Sequence, residues 1–254
     1  MKVSIITVCY NSEAFIQDAI ASVAAQRYQN FEHIIVDGGS TDDTLGIINR
    51  HRSCFSNIVS EPDDGMYDAM NKGIALATGE IVGILNADDF YAHANVINDI
   101  AAIFKDSFID ACYGDLEYVD SLHTNKVLRY WRSGDYLTER FYHGWMPPHP
   151  TFFVRRSLYG KYGSFKLELG SSADYELMLR FLLKHRARAA YIPDVLVKMR
   201  TGGASNASLR NRLKANSMDR LAWRINGLRH RPWTIYMKPL SKLGQFFKRK
   251  SVPE

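Results

Sequence analysis

Residues 86–89 read Asn-Ala-Asp-Asp and follow an apolar run from Ile81 to Leu85. A carboxylate taken out of water costs several kcal/mol unless it is paired, hydrogen-bonded or bound to a cation. Two adjacent ones also repel each other. Divalent cations such as magnesium take oxygen ligands, commonly one or two carboxylates plus substrate phosphates. Asp88 and Asp89 are therefore candidate metal ligands, with an ordinary turn or helix cap as the alternative. Asp37 ends a second apolar run and opens Gly38-Gly39-Ser40. Those glycines let backbone approach a ligand closely, or simply end a strand. Asp174 falls at the start of a helical pattern after Ser171-Ser172. There it can take a proton from a hydroxyl within about 3 Å, or merely face the helix dipole. Glu176 is the neighbouring alternative, turned about 200° around the helix, so both cannot face one site.

The elements around these residues must bring them together. VSIITVCY (3–10) and HIIVD (33–37) are continuous β-rich apolar runs, as expected for strands buried on both faces. NIVSEP (57–62) and EIVGILNADD (80–89) are a third and fourth strand. Helical spacing follows the first strand through Phe15, Ile16, Ala19, Ile20 and Val23, with Asn11-Ser12 as a cap. It recurs through Ile47 and Ile48, and in GMYDAMNKGIALATG (65–79), which stops at a glycine. Strand and helix alternate, so the expected fold class is α/β with parallel strands and right-handed crossovers. Ligands of open α/β sheets bind beyond the carboxyl ends of the strands. Tyr10-Asn11, Asp37–Ser40 and Asn86–Asp89 all fall at such ends and should converge. Further on, 110–120 reads as a strand, 145–157 as a proline-rich loop entering a strand, 171–185 as a helix and 189–200 as two short strands.

The chain has 254 residues, a formal charge of +5, 46% hydrophobic and 23% charged residues. That composition suits a folded protein with a sizeable core rather than a disordered one. Cys9, Cys54 and Cys112 form no even framework and no zinc spacing, which fits a reducing compartment. Met1-Lys2 leads straight into a strand, unlike a signal peptide, and no apolar run reaches the ~18 residues a membrane span needs. No GxGxxG follows the first strand and no GxxxxGK[ST] occurs, which argues against a dinucleotide fingerprint and a P-loop.

Taken in order, VSIITVCYN, IIVDGGSTDDT, DGMYDAMNKGIALATGE and ILNADD resemble the inverting family 2 glycosyltransferases of the GT-A fold. The resemblance is strong over residues 1–90 and continues through 145–205. It implies a mostly parallel Rossmann-like sheet flanked by helices, a nucleotide-sugar donor, and Mg²⁺ or Mn²⁺ as cofactor. It implies further that Asp37 contacts the nucleotide base and that Val8, Tyr10 and Asn11 line its pocket. NADD matches the family's DxD motif, with Asn86 where many members carry the first Asp, so metal duty falls to Asp88, Asp89 or both. Asp63 or Asp64, Asn71 and Lys72 border the donor pocket by the same resemblance; a solvated helix-end lysine is the alternative for Lys72. Ala173-Asp174 matches the family's ED-type motif and makes Asp174 the base. His149 stands where related enzymes place a residue near the acceptor or metal; a loop histidine held by its prolines is the alternative. Arg200 and 201–205 resemble a loop that closes over the nucleotide.

The positive charge is concentrated at the C-terminus: after Asp219 the next acidic residue is the terminal Glu254. Trp233, Tyr236, Leu240, Leu243 and Phe247 recur at three- and four-residue spacing among lysines. That pattern suits a helix on an anionic membrane surface, or a helix packed on the catalytic domain. The expected organisation is a catalytic domain over 1–205, with a nucleotide-binding half (1–90) and an acceptor half (91–205). A basic helical tail follows over 206–254, contacting membrane through 224–250. The expected acceptor is a glycan or lipid-linked glycan, at the cytoplasmic face of the inner membrane, and no nucleic-acid motif accompanies the charge. Two rivals stand beside this reading. A nucleotidyltransferase would carry a glycine-rich basic loop after the first strand, where this chain has CYNSEAF. A non-catalytic binding protein has no need of Asp88, Asp89 and Asp174 together.

Overall fold

The computed structural model describes residues 1–202, 209–240 and 245. Its first half alternates as the periodicity predicts: β1 (Val3–Cys9), α1 (Ile16–Ala24), β2 (Phe31–Asp37), α2 (Thr44–Arg50), β3 (Asn57–Ser60), α3 (Met66–Leu76) and β4 (Ile81–Asn86). The second half adds β5 (Asp89–Tyr91), α4 (Val96–Ile103), β6 (Ala111–Val119), β7 (Val127–Trp131), α5 (Thr138–Tyr142), β8 (Phe153–Arg155), α6 (Arg156–Tyr162), α7 (Ala173–Met178), β9 (Ala189–Arg200), α8 (Leu209–Ile225) and α9 (Thr234–Leu240).

One sheet runs in the order β3-β2-β1-β4-β8-β6-β9-β5, with β7 pairing on β6. Pairings among β3, β2, β1 and β4 are parallel, as is β6 on β9. β8 and β5 insert antiparallel. All seven residues of β1 are buried because helices cover both faces. α3 lies so close that a Cβ on Gly73 would stand 2.3 Å from Ile6 Cγ2. Ile16, Ile20, Ile35, Ile47 and Ile48 form a smaller apolar cluster on the α1–α2 side.

Three elements differ from expectation. The fourth strand breaks at Asn86, and Asp89 starts a separate strand on β9. Residues 189–200 form one strand rather than two: exposed Pro193 falls where the β6–β9 register shifts, the place a ladder tolerates a residue without an N–H. The expected helix over 171–185 divides into a 3₁₀ turn to Ser172, α7, and a π-helical stretch Leu179–Lys184.

α8 and α9 add to the central core rather than standing apart as a tail. Ala222, Trp223 and Ile235 are buried in the main cluster. Lys238, expected on a basic outer face, instead ion-pairs buried Asp219 at 2.8 Å. Trp233 and Tyr236 remain exposed. Leu243, Phe247 and the lysines and arginine of 242–250 lie outside the described residues, as do 203–205 of the expected closing loop.

Candidate active site

β1 is flanked by β2 on one side and β4 on the other, so the chain leaves it in opposite directions. The crevice at that switch point is where an open α/β sheet binds ligand. The three polar clusters meet there as the spacing predicts. Asn11, in the left-handed region at φ 47°, accepts the Thr41 N–H at 2.9 Å, while its own N–H reaches Ser40 Oγ at 2.8 Å. Ala87 N–H donates to the carbonyl of Val8 at 3.2 Å. Tyr10 stands exposed at the rim.

Asp37 is fully buried. Its carboxylate accepts from Gly39 N–H (3.2 Å), Ser40 N–H (3.0 Å), Ser60 Oγ (2.7 Å) and the Ser40 hydroxyl. It builds the GGS turn from beneath. Asp63 closes over that turn, with its Oδ2 2.5 Å from where a Cβ on Gly38 would stand. Glycine at position 38 is what permits the approach.

The acidic pair is split by its surroundings. Asp89 is completely buried, and its Oδ1 and the Oδ1 of Asn86 have no hydrogen-bond partner among the described residues. Asp88 is half-buried. Burial pushes both carboxyls upward, and for Asp89 the charge of Asp88 adds to it. Two crowded carboxylates and a spare amide oxygen form a set of oxygen donors whose repulsion the nearby Arg200 charge only partly offsets. No cluster of three or more acidic, histidine or cysteine ligands occurs among the described residues. Two carboxylates still meet the ordinary protein share of a magnesium or manganese site completed by phosphate.

Arg200, read from the sequence as part of a loop over the nucleotide, packs against the back of the acidic turn. It is buried between the rings of Phe15 and Phe90, at 5.0 and 4.9 Å. It pairs with Asp18 and donates to the carbonyls of Asp88 (3.0 Å) and Ser121 (3.2 Å). It is a strut behind the acidic turn. Lys72 is likewise engaged elsewhere, with Glu61 at 2.9 Å and Asp68 at 3.5 Å. Asn71 clasps Phe165 through both amide atoms, accepting its N–H and donating to its carbonyl at 2.9 Å each. Asn71, Lys72 and Arg200 thus all hold partners in the scaffold.

Asp174 opens α7, and Tyr175 N–H donates to its Oδ1 at 2.7 Å. The Tyr67 hydroxyl hydrogen-bonds Asp174; burial and then the Asp174 charge push that hydroxyl well above its usual range. Half-buried His149 meets Phe165 edge-on at 5.6 Å, and desolvation lowers its pKa, with Asp174 opposing. Phe165 also packs Tyr67 at 5.3 Å. Glu176 points the other way, fully buried, gripped by Arg180 at 2.8 and 3.0 Å and by Asn226 at 3.1 Å. Tyr118 lies within the fields of both Asp89 and Asp174; burial raises its pKa most, and those two charges add to it. Sequence reasoning missed Tyr67 and Tyr118. Tyr67 lies inside a quoted motif, but nothing in local spacing shows its hydroxyl reaching residue 174.

The arrangement has counterparts in known proteins. The profile of glycosyl transferase family 2 matches residues 4–163. An uncharacterized glycosyltransferase of Mycobacterium tuberculosis is 33% identical over 189 residues, covering 71% of this chain and 69% of its own. A PGL/p-HBAD biosynthesis glycosyltransferase of Mycobacterium bovis is 31% identical over 207 residues, 80% of this chain and 78% of its own. Among solved structures, S. aureus TarS 1-349 with UDP-GlcNAc superposes at a TM-score of 0.68 with 21% identity, over 93% of this chain and 69% of that one. The same fragment with UDP is spanned over 65% of its length. The Pyrobaculum calidifontis mannosyltransferase PcManGT with GDP-Man and Mn²⁺ gives 0.65 and 19%, over 94% and 68%. These structural likenesses establish the GT-A fold. With the profile covering more than half the chain and relatives above 30% identity across most of it, the chain belongs to glycosyl transferase family 2.

Proposed function

We propose that this glycosyltransferase moves a sugar from a nucleotide-sugar onto an acceptor hydroxyl with inversion, in a metal-dependent reaction. The observation that carries the reading is the acidic turn at the end of β4, where fully buried Asp89 stands beside half-buried Asp88 and the Oδ1 atoms of Asp89 and Asn86 have no hydrogen-bond partner among the described residues. Asp88, the less buried carboxylate, faces the donor, with Asp89 and Asn86 beside it; together they would hold Mg²⁺ or Mn²⁺, whose Lewis acidity offsets charge on the leaving diphosphate. Asp174 takes the acceptor proton as the hydroxyl oxygen bonds to the anomeric carbon. The bond from that carbon to the diphosphate breaks, and its electron pair leaves with the nucleotide. A single displacement inverts the anomeric configuration. Tyr67 orients the Asp174 carboxylate, and His149 lines the acceptor side.

Asp63, Val8, Tyr10 and Asn11 form the nucleoside pocket, and buried Asp37 shapes its GGS wall from beneath. UDP is our first choice of donor nucleotide; one structural neighbour carries UDP-GlcNAc and another GDP-Man. The proposed acceptor is a lipid-linked glycan in surface polysaccharide assembly, with the basic C-terminal stretch at the cytoplasmic face of the inner membrane. Exposed Trp233 and Tyr236 support that contact, and no helix among the described residues is long and apolar enough to cross a membrane. The test is hydrolysis of UDP-GlcNAc and GDP-mannose with Mn²⁺. Asp174→Asn should abolish turnover while nucleotide binding persists. Unchanged turnover in that variant would remove Asp174 from the chemistry, and turnover independent of metal in wild type would refute the cation's role.

A further inference from the structure

Asp174 owes its position to the first turn of α7, where it is followed by Tyr175 and Glu176. What holds that turn comes from the far end of the chain. The Tyr175 ring is buried, and the Lys238 ammonium sits 3.7 Å from its centroid. The Tyr175 hydroxyl accepts from Trp223 Nε1 at 2.9 Å. Lys238 is fixed in turn by both carboxylate oxygens of buried Asp219, at 2.9 and 2.8 Å. The seating of α9 is equally specific. Thr234 Oγ1 donates to the Tyr142 carbonyl at 2.8 Å, Ile235 is buried, and a Cβ on Gly144 would stand 2.3 Å from Lys238 N.

We infer that Lys238 is a positioning residue for the proposed base: stacked on Tyr175 and held by Asp219, it sets the first turn of α7 and so the place of the Asp174 carboxylate. The inference rests on Asp174 being that base. Two features favour orientation over bulk stability. A buried ion pair adds little net stability over an apolar pair of the same volume, whereas a cation over a ring face is directional. The Tyr175 N–H also donates to Asp174 Oδ1, so a backbone shift that follows the Tyr175 ring carries over to the carboxylate. Misplacement of a catalytic group by about 1 Å is enough to cost on the order of a hundredfold in rate.

The test compares wild type with Asp219→Asn/Lys238→Met, which removes both charges and leaves no unpaired ion, and with Lys238→Arg, which keeps the cation. Mn²⁺-dependent UDP affinity should stay within about twofold in both, and donor KM should hold, because the lost interaction concerns the transition state. In the double variant kcat for hydrolysis of UDP-GlcNAc or GDP-mannose should fall about 10- to 100-fold, and amides of 174–178 should exchange at least about tenfold faster. Lys238→Arg should recover most of both. Wild-type kcat or wild-type exchange in the double variant overturns the inference. If turnover survives Asp174→Asn as well, the reading of the base fails instead; if turnover is lost in Asp174→Asn but kept in the double variant, only the role of Lys238 fails. Should neither donor be turned over, the exchange measurement decides. Should the double variant fold poorly, Tyr175→Leu against Tyr175→Phe decides: the first loses the ring and should behave as the double variant does, whereas the second loses only the bond from Trp223 Nε1 and should exchange clearly more slowly than Tyr175→Leu; equal exchange in the two overturns the inference.

Discussion

Two carboxylates two residues apart, Asp174 and Glu176, should respond to mutation in opposite ways. Glu176 is fully buried and receives Arg180 at 2.8 and 3.0 Å and Asn226 at 3.1 Å. Arg180 is itself buried and also donates to the carbonyls of Gly163 and Ser164 at 2.7 Å. Glu176→Ala strands that guanidinium without a counter-charge, which costs about 3–5 kcal/mol. A domain of this size has about 5–15 kcal/mol to lose, and each kcal/mol moves its Tm by about 2–4 °C. The expected drop is therefore at least about 6 °C and up to about 20 °C. Glu176→Gln keeps the acceptor atoms and should cost about 1.5–3 kcal/mol, the worth of hydrogen bonds to a charged group. Glu176→Leu with Arg180→Met should cost less than the sum of the single changes, by about 1–3 kcal/mol. In Glu176→Gln, which keeps the packing of the α7 turn, turnover per folded molecule should stay near wild type. Asp174→Asn should show the reverse, an unchanged Tm and no turnover. Calorimetry with a donor-hydrolysis assay at a temperature where all variants are folded separates the two. A Glu176→Gln protein of wild-type Tm with abolished turnover would refute the assignment and make Glu176 the working carboxylate.

Three further outcomes follow from the packing. Asn71→Ala leaves the Phe165 N–H and carbonyl unpaired, so it should cost about 1–3 kcal/mol while UDP affinity stays unchanged; a large loss of affinity at unchanged Tm would restore Asn71 to the donor pocket. Gly144→Ala drives a Cβ into the α9 backbone, so the 229–240 segment should become the first site of limited proteolysis, with a cost of about 1–3 kcal/mol; wild-type resistance would show α9 docked otherwise. Burial holds the His33 imidazole at about 3 against its usual 6.5, so it folds neutral. A base with a depressed folded pKa contributes stability present above 6.5 and lost as pH falls toward 3. Unfolding free energy should thus decline by about 2 kcal/mol between pH 7 and pH 5, and His33→Gln should flatten that slope in urea titrations; an unaltered slope would assign it to other groups.

The nucleotide half was legible in the sequence because its signals are local. Buried parallel strands write themselves as unbroken apolar runs, so Val3–Cys9 and Ile81–Asn86 emerged with the polar clusters at their ends. The two-residue offset turned Glu176 away from Asp174, as its pairing with Arg180 and Asn226 shows. Contacts between distant segments were not legible. The partners that Asn71, Lys72 and Arg200 hold in the scaffold, Phe165, Glu61 and Asp18, emerge only from three-dimensional packing. The basic C-terminal pattern read as a surface helix because an ion pair between Lys238 and Asp219, nineteen positions apart, has no helical period. Tyr67 and Tyr118 were invisible for the same reason: their neighbours come from β5, α7 and other distant segments.

The central claim is that the acidic turn at 86–89 faces a cation and, through it, a nucleotide diphosphate. Calorimetric titration of UDP, GDP and dTDP, each with and without Mn²⁺, on wild type and Asp88→Asn/Asp89→Asn tests it most directly. The account predicts Mn²⁺-dependent binding of one nucleotide, lost in the double variant while its Tm holds or rises, because removing two crowded buried carboxylates relieves their desolvation and repulsion. A well-folded wild-type protein that binds none of the three, with or without metal, would contradict it and leave Asp88 and Asp89 as turn residues.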